Sequence, residues 1–246
     1  MSQQREAIMA AHVDENDARI ETETVSFAGA SGDINGYLAR PKGADNAPGL
    51  VIIHENKGLT PHIKDVARRG ALEGFITLAP DFLTPAGGTP DLEADGPART
   101  KSLDMAKTIG DGVAAVDSIR TRSDSNGLVG TIGFCWGGGL SNQIAVHDLN
   151  LNAGIVFYGR SPKDEDAAKI KAHLLLNYGS LDENITPSVA AYEAALKAAG
   201  VDHQIFIYDG GKHGFHNDEN AERYHEEHSK TAWQRSMEFM KQTLST

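Results

Sequence analysis

Gly127-Leu-Val-Gly-Thr-Ile-Gly-Phe-Cys135 runs straight into Trp136-Gly-Gly-Gly139. The first part is a compact apolar run, as a strand buried on both faces of a parallel sheet requires, and it is followed by a helix predicted over Gly138–His147. Five more runs share the first pattern: Gly49–His54, Gly74–Pro80, Ala153–Gly159, His173–Gly179 and His203–Asp209. Between them, helices are predicted over Ile63–Glu73, Ala98–Arg122, Pro187–Ala199 and Asn220–Leu244, with Thr186 as an N-cap and Pro187 as the first helical residue. Strands alternating with helices of this length build βαβ units, so the expected architecture is α/β, a mostly parallel central sheet flanked by helices on both faces. Upstream, Glu21–Phe27 and Ile34–Arg40 read as an N-terminal hairpin joined through Ala28–Asp33. No repeat or low-complexity linker divides the chain, which reads as one domain over residues 1–246 with a helical arm in residues 1–20, over Gln3–Arg19. In such sheets ligands bind beyond the carboxyl ends of the strands.

Composition narrows the chemistry. The 246 residues carry 23 Lys and Arg against 34 Asp and Glu, a formal net charge of −11. No basic face is available for nucleic acid or for an anionic membrane surface. A single cysteine forms no internal disulfide, and the first 19 residues lack the apolar run of a signal peptide, so a cytoplasmic location is expected. Nothing is apolar for long enough to span a bilayer.

The segment Gly133-Phe-Cys135-Trp-Gly137 is a G-x-S-x-G nucleophile elbow with cysteine in the serine position. Side chains at Gly133 or Gly137 would collide with the neighbouring helix or strand. The turn also sets Cys135 at a helix N-terminus, where the dipole favours a thiolate, and leaves the Trp136 N–H free for an oxyanion. The competing reading is a small buried hydrophobe. A base and an orienting carboxylate should follow in the order nucleophile, acid, histidine. Asp182, after the strand ending near Tyr178, and His213, after the strand ending near Tyr208, stand in that order on loops beyond strand ends. Taken singly, Asp182 reads as a turn carboxylate and His213 as a surface histidine. The pairs His213/His216 and His225/His228 lack a complete ligand set, and neither a metal nor a cofactor is expected.

From about Val25 to its C-terminus the sequence resembles the dienelactone hydrolase (carboxymethylenebutenolidase) family of α/β-hydrolases. The resemblance is carried by Gly133-Phe-Cys-Trp-Gly-Gly138, the Asp182 loop, His213-Gly-Phe215 and the glutamate of Val51-Ile-Ile-His-Glu55. It implies an α/β-hydrolase fold and a Cys135–His213–Asp182 triad. It also implies that Glu55 takes the thiol proton when substrate binds; a structural pairing of Glu55 with Lys57 or Arg68 is the alternative. The backbone N–H of Asn56 is expected to join that of Trp136 in an oxyanion hole. Family members acting on dienelactone clamp its carboxylate with two arginines, but the matching positions here hold Asn217 and a residue among Leu83–Ala86, so that clamp is not expected.

Substrate contacts are instead expected from Arg160, Asn217 and an aromatic wall of Phe82, Trp136, Tyr158, Phe215 and His216. The expected activity is hydrolysis of a small-molecule carboxylic ester or lactone through an acyl-enzyme, by a monomer or homodimer. A peroxide-reactive thiol protein is the alternative, although it has no resolving cysteine and leaves Asp182 and His213 unexplained.

Overall fold

The computed structural model describes residues 12–245. Eight strands form one sheet in the order β1-β2-β4-β3-β5-β6-β7-β8. They are β1 Ile20–Gly29, β2 Gly32–Pro41, β3 Ala47–Ile53, β4 Ile76–Pro80, β5 Ser125–Phe134, β6 Ala153–Phe157, β7 His173–Gly179 and β8 His203–Tyr208. The β1–β2 hairpin joins β4 antiparallel, and every pairing from β4 through β8 is parallel. The predicted hairpin and parallel sheet are therefore both present.

Alternate residues of the central strands feed two cores. Leu50 and Ile52 pack with helices α1 (Pro61–Leu72) and α6 (Glu226–Thr243). Val51 and Ile53 face α3 (Met105–Arg120), α4 (Trp136–His147) and α5 (Val189–Ala199). All four of these strand side chains are fully buried, each stabilising the fold by about 1.5–3 kcal/mol. Burial on this scale offsets the strained backbone described below. Among the described residues no helix is long and apolar enough to cross a membrane.

Four sequence expectations need correction. Residues 1–11 of the expected helical arm lie outside the described residues, while residues 12–19 form turns. There Asp14 and Asp17 accept the backbone N–H groups of Asn16 and Arg19, local bonds that compete with a helix. The predicted Ala98–Arg122 helix is two helices, α2 (Gly96–Ser102) and α3, because Asp104 caps the second through the N–H groups of Ala106 and Lys107. Thr186 is not the cap of α5. A short 3₁₀ turn, Thr186–Ser188, precedes that helix, and the Thr186 hydroxyl donates to the Gly179 carbonyl at 2.7 Å. The last helix starts at Glu226, not Asn220, because residues 214–225 turn back over the sheet, with His225 N–H bonded to the Phe215 carbonyl.

Candidate active site

The elbow is assembled by close backbone packing at the tip of β5. A Cβ on Gly133 would lie 2.0 Å from the Gly137 carbonyl oxygen, and one on Gly137 would lie 2.4 Å from that of His54. Only glycine permits this approach. Cys135 has φ 54° and ψ −114°, a conformation costing about 1–3 kcal/mol that persists only where its surroundings over-determine it. Its N–H is tied to the Phe157 carbonyl at 3.0 Å and its carbonyl accepts the Gly139 N–H at 3.2 Å.

Loops after β7 and β8 deliver the other two groups. They are laced together by the Ser180 N–H on the Tyr208 carbonyl and the Leu181 N–H on the Gly211 carbonyl, both at 2.9 Å. His213 Nδ1 lies 2.6 Å from Asp182 Oδ2, and His213 Nε2 lies 3.0 Å from Cys135 Sγ. The other Asp182 oxygen accepts the N–H groups of Asn184 and Ile185. Asp182 is thus both the turn carboxylate and the partner of the imidazole. Burial alone would lower the His213 pKa, but hydrogen bonds to Asp182 and Cys135, with the charges of both, carry it up to about 10.

Glu55 follows β3, half-buried beside the elbow. Its carboxylate accepts the Asn217 amide at 2.8 Å and the Tyr158 hydroxyl at 3.4 Å. The suggested structural partners are engaged elsewhere: Lys57 pairs with Glu93, and Arg68 bonds the Val13 carbonyl and Tyr37. Tyr158 is fully buried with φ 41°, and its ring meets the His213 imidazole edge-on, centroids 5.1 Å apart. Burial, then the Glu55 and Cys135 charges, push its phenol well above the usual range.

The expected aromatic wall is mostly a backing layer. Phe82, Phe215 and His216 are at most 1% exposed. Phe82 packs behind Trp136, while His216 stacks on Phe134 and packs tilted against Phe157 in the core. Burial first, with the nearby His62 and the Arg69 charge adding to it, drives the His216 pKa far down, which keeps the ring neutral. Asn217, also buried, holds Glu55, so its amide is committed to that carboxylate. Solvent reaches Cys135, Glu55, Asn56, Trp136 and His213, which are half-buried, and the exposed Arg160. Arg160 has no ion-pair partner among the described residues, and the nearby-in-sequence Asp166 is paired with Lys169.

Three features escaped the sequence reading. His54, fully buried at the end of β3, bonds the Glu55 carbonyl through Nδ1 at 2.5 Å. Its only signal was a histidine closing an otherwise apolar run. The Glu55–Asn217 and Glu55–Tyr158 bonds join residues more than a hundred positions apart. Finally, His12, Asp65 and Asp218 bring possible ligand atoms within 4.8 Å of one another. Arg69 Nη2, however, already lies 2.5 Å from each of the two carboxylates, and that guanidinium supplies the cation. His225 and His228 stack at 3.6 Å, with His225 Nδ1 accepting the His228 N–H and His228 Nε2 on the Asp209 carbonyl.

A sequence profile of the dienelactone hydrolase family matches residues 34–244. A Salmonella typhimurium protein named "Putative carboxymethylenebutenolidase" is 32% identical over 242 residues, covering 92% of this chain and 89% of that protein. The crystal structure of a "Putative Dienelactone Hydrolase" from Klebsiella pneumoniae superimposes with a TM-score of 0.82 at 28% identity, over 91% of this chain and 99% of that one. The Pyrococcus horikoshii acylaminoacyl peptidase, 17% identical with a TM-score of 0.70 over 94% of this chain and 44% of its own, shares the fold alone. The eight-stranded sheet is that of the α/β-hydrolases, and the chain belongs to the dienelactone hydrolase family.

Proposed function

We propose that this protein hydrolyses a carboxylic ester or lactone through an acyl-enzyme on Cys135. The observation that carries the reading is the unbroken line from Cys135 Sγ through the imidazole of His213 to the Asp182 carboxylate, at 3.0 and 2.6 Å. Asp182 accepts from Nδ1, which directs Nε2 to the sulfur. His213, whose raised pKa favours its protonated form, holds the proton given up by the thiol as sulfur attacks the carbonyl carbon. The carbonyl oxygen becomes an oxyanion facing the N–H groups of Asn56 and Trp136. Among the described residues the Asn56 N–H has no other acceptor, and Trp136 is the first residue of α4, whose N–H has no intrahelical partner. Collapse of the oxyanion breaks the carbon–oxygen bond, and His213 passes its proton to the leaving alkoxide. The same imidazole then activates water to release the acid and restore the thiol. In a lactone the alkoxide stays tethered, so prompt protonation prevents re-closure.

Proton removal belongs to His213 in this arrangement, because Glu55 is bonded to Asn217 and Tyr158. A thiol-base role for Glu55 requires its carboxylate to leave both donors, and it fails if Glu55→Gln leaves the pH profile and thiol reactivity unchanged. Arg160, exposed and unpaired among the described residues, is a cation available to a carboxylate on the substrate. The thiol-redox alternative draws no support from the comparisons, which are to hydrolases. The test is hydrolysis of short-chain activated esters and lactones by wild type, Cys135→Ala and His213→Ala. Turnover confined to wild type is expected; undiminished turnover in either variant would remove the mechanism.

A further inference from the structure

The His54 ring is fully buried between the two segments that carry the proposed oxyanion donors. Its Nε2 receives the Phe82 N–H at 3.2 Å, and a nitrogen that accepts has no proton to give. The ring proton therefore sits on Nδ1, which donates to the Glu55 carbonyl at 2.5 Å. That carbonyl and the Asn56 N–H are opposite ends of one planar peptide. Fixing the oxygen fixes the direction of the N–H, and a hydrogen bond at one end of a peptide polarises the other. The next carbonyl along, that of Asn56, accepts the Thr100 hydroxyl at 2.8 Å. Asn56 is thereby held on both sides. The ring also lies nearly parallel to the Trp136 indole, centroids 5.3 Å apart and planes 15° apart, and Phe82 packs edgewise on the indole at 6.2 Å.

The anchor beneath is rigid. Asp81, next to Phe82, accepts the N–H groups of Leu83 and Thr89 and the Thr89 hydroxyl. Burial lowers the His54 pKa, so the ring stays neutral, the form that offers one donor and one acceptor at once.

We propose that His54 is the positioning residue of the oxyanion hole, aiming the Asn56 N–H through the Glu55 carbonyl and seating the Trp136 backbone through the ring stack. This rests on assigning those two N–H groups to the oxyanion.

Three variants separate the contacts. His54→Asn keeps a donor near the Nδ1 position, His54→Gln keeps an acceptor near Nε2 for the Phe82 N–H, and His54→Phe keeps only the stacked ring. On an activated ester, kcat should fall about 10- to 100-fold in the Gln and Phe variants, with KM within about threefold, and fall least in the Asn variant. Inhibition by a trifluoromethyl ketone, which forms an oxyanion on attack, should weaken by a similar factor. Alkylation of Cys135 by iodoacetamide, which needs no oxyanion hole, should stay within about twofold of wild type.

Gln and Phe variants with wild-type kcat would overturn the proposal. So would alkylation falling in step with kcat, which would place the loss at the cysteine–histidine pair. Should His54→Phe fail to fold, the ranking of Asn above Gln decides alone. Wild-type kcat in Cys135→Ala would instead remove the underlying reaction, a distinguishable failure.

Discussion

His213 meets Asp182 through Nδ1 at 2.6 Å, and His62 meets Asp218 through Nδ1 at 2.9 Å. The segment from residue 213 to residue 218 supplies one member of each pair, yet their surroundings are opposite. The His213 side chain is 27% exposed and offers Nε2 to a thiol. His62 and Asp218 are sealed within the protein, and Asp218 is shared with Arg69. Burial would raise the Asp218 carboxyl, but His62 and Arg69 together hold it well below the usual carboxylate range. A third pair, His173 with Asp202 at 2.7 Å, is exposed at the amino end of β7, away from the strand ends that carry the elbow. An imidazole beside a carboxylate is thus a common structural unit. It becomes a candidate for catalysis where its far nitrogen is aimed at a nucleophile that substrate can reach.

The contrast is broken most severely at the first pair. Cys135→Ala and His213→Ala should each lower kcat/KM on an activated ester by about a thousandfold or more, measured against the folded protein. At the second pair the loss should fall on stability. Arg69→Met leaves Asp65 and Asp218 buried without the guanidinium that bridges them, so urea denaturation should show a loss of about 3–5 kcal/mol. The kcat of the folded fraction should stay within about threefold of wild type. An equal collapse of kcat would show that the sealed cluster participates in the reaction.

The pairs should also differ in their response to pH. The folded-state pKa of His213 is raised from an ordinary 6.5 to about 10. Its stabilising contribution is therefore complete below about pH 6.5 and disappears as pH rises through about 10. The Tm advantage of wild type over His213→Gln should shrink across that window, and an advantage that grows with pH would contradict the assignment. The smallest effect concerns the rim. Arg160→Ala should raise KM about fivefold for an ester bearing a carboxylate and leave KM for its neutral analogue unchanged.

The sheet was legible because continuous apolar runs are a consequence of burial on two faces, as β3 through β7 show, while the edge strand β8 is apolar in sequence but only partly buried. The meeting of Cys135, Asp182 and His213 was legible because the three follow those runs in a fixed order. Helix boundaries failed where short polar side chains intervene, as at Asp104, which restarts a helix, and at Asp14 and Asp17, which prevent one. The substrate wall failed for a different reason. Whether Phe82, Phe215 and His216 face a pocket or the core depends on the layer packed over them, and a strand-end position does not specify that layer. Likewise, the bond from Asn217 to Glu55 spans 162 positions. The amide could be placed near the site from the sequence, but its partner could not.

The central claim is covalent chemistry at one sulfur. During steady-state turnover of a slowly deacylating ester, acid quenching and peptide mass analysis should find the peptide containing Cys135 heavier by one acyl group, with activity abolished once that thiol is alkylated beforehand. Full activity after complete alkylation, with the peptide unmodified at every quench time, would contradict the account.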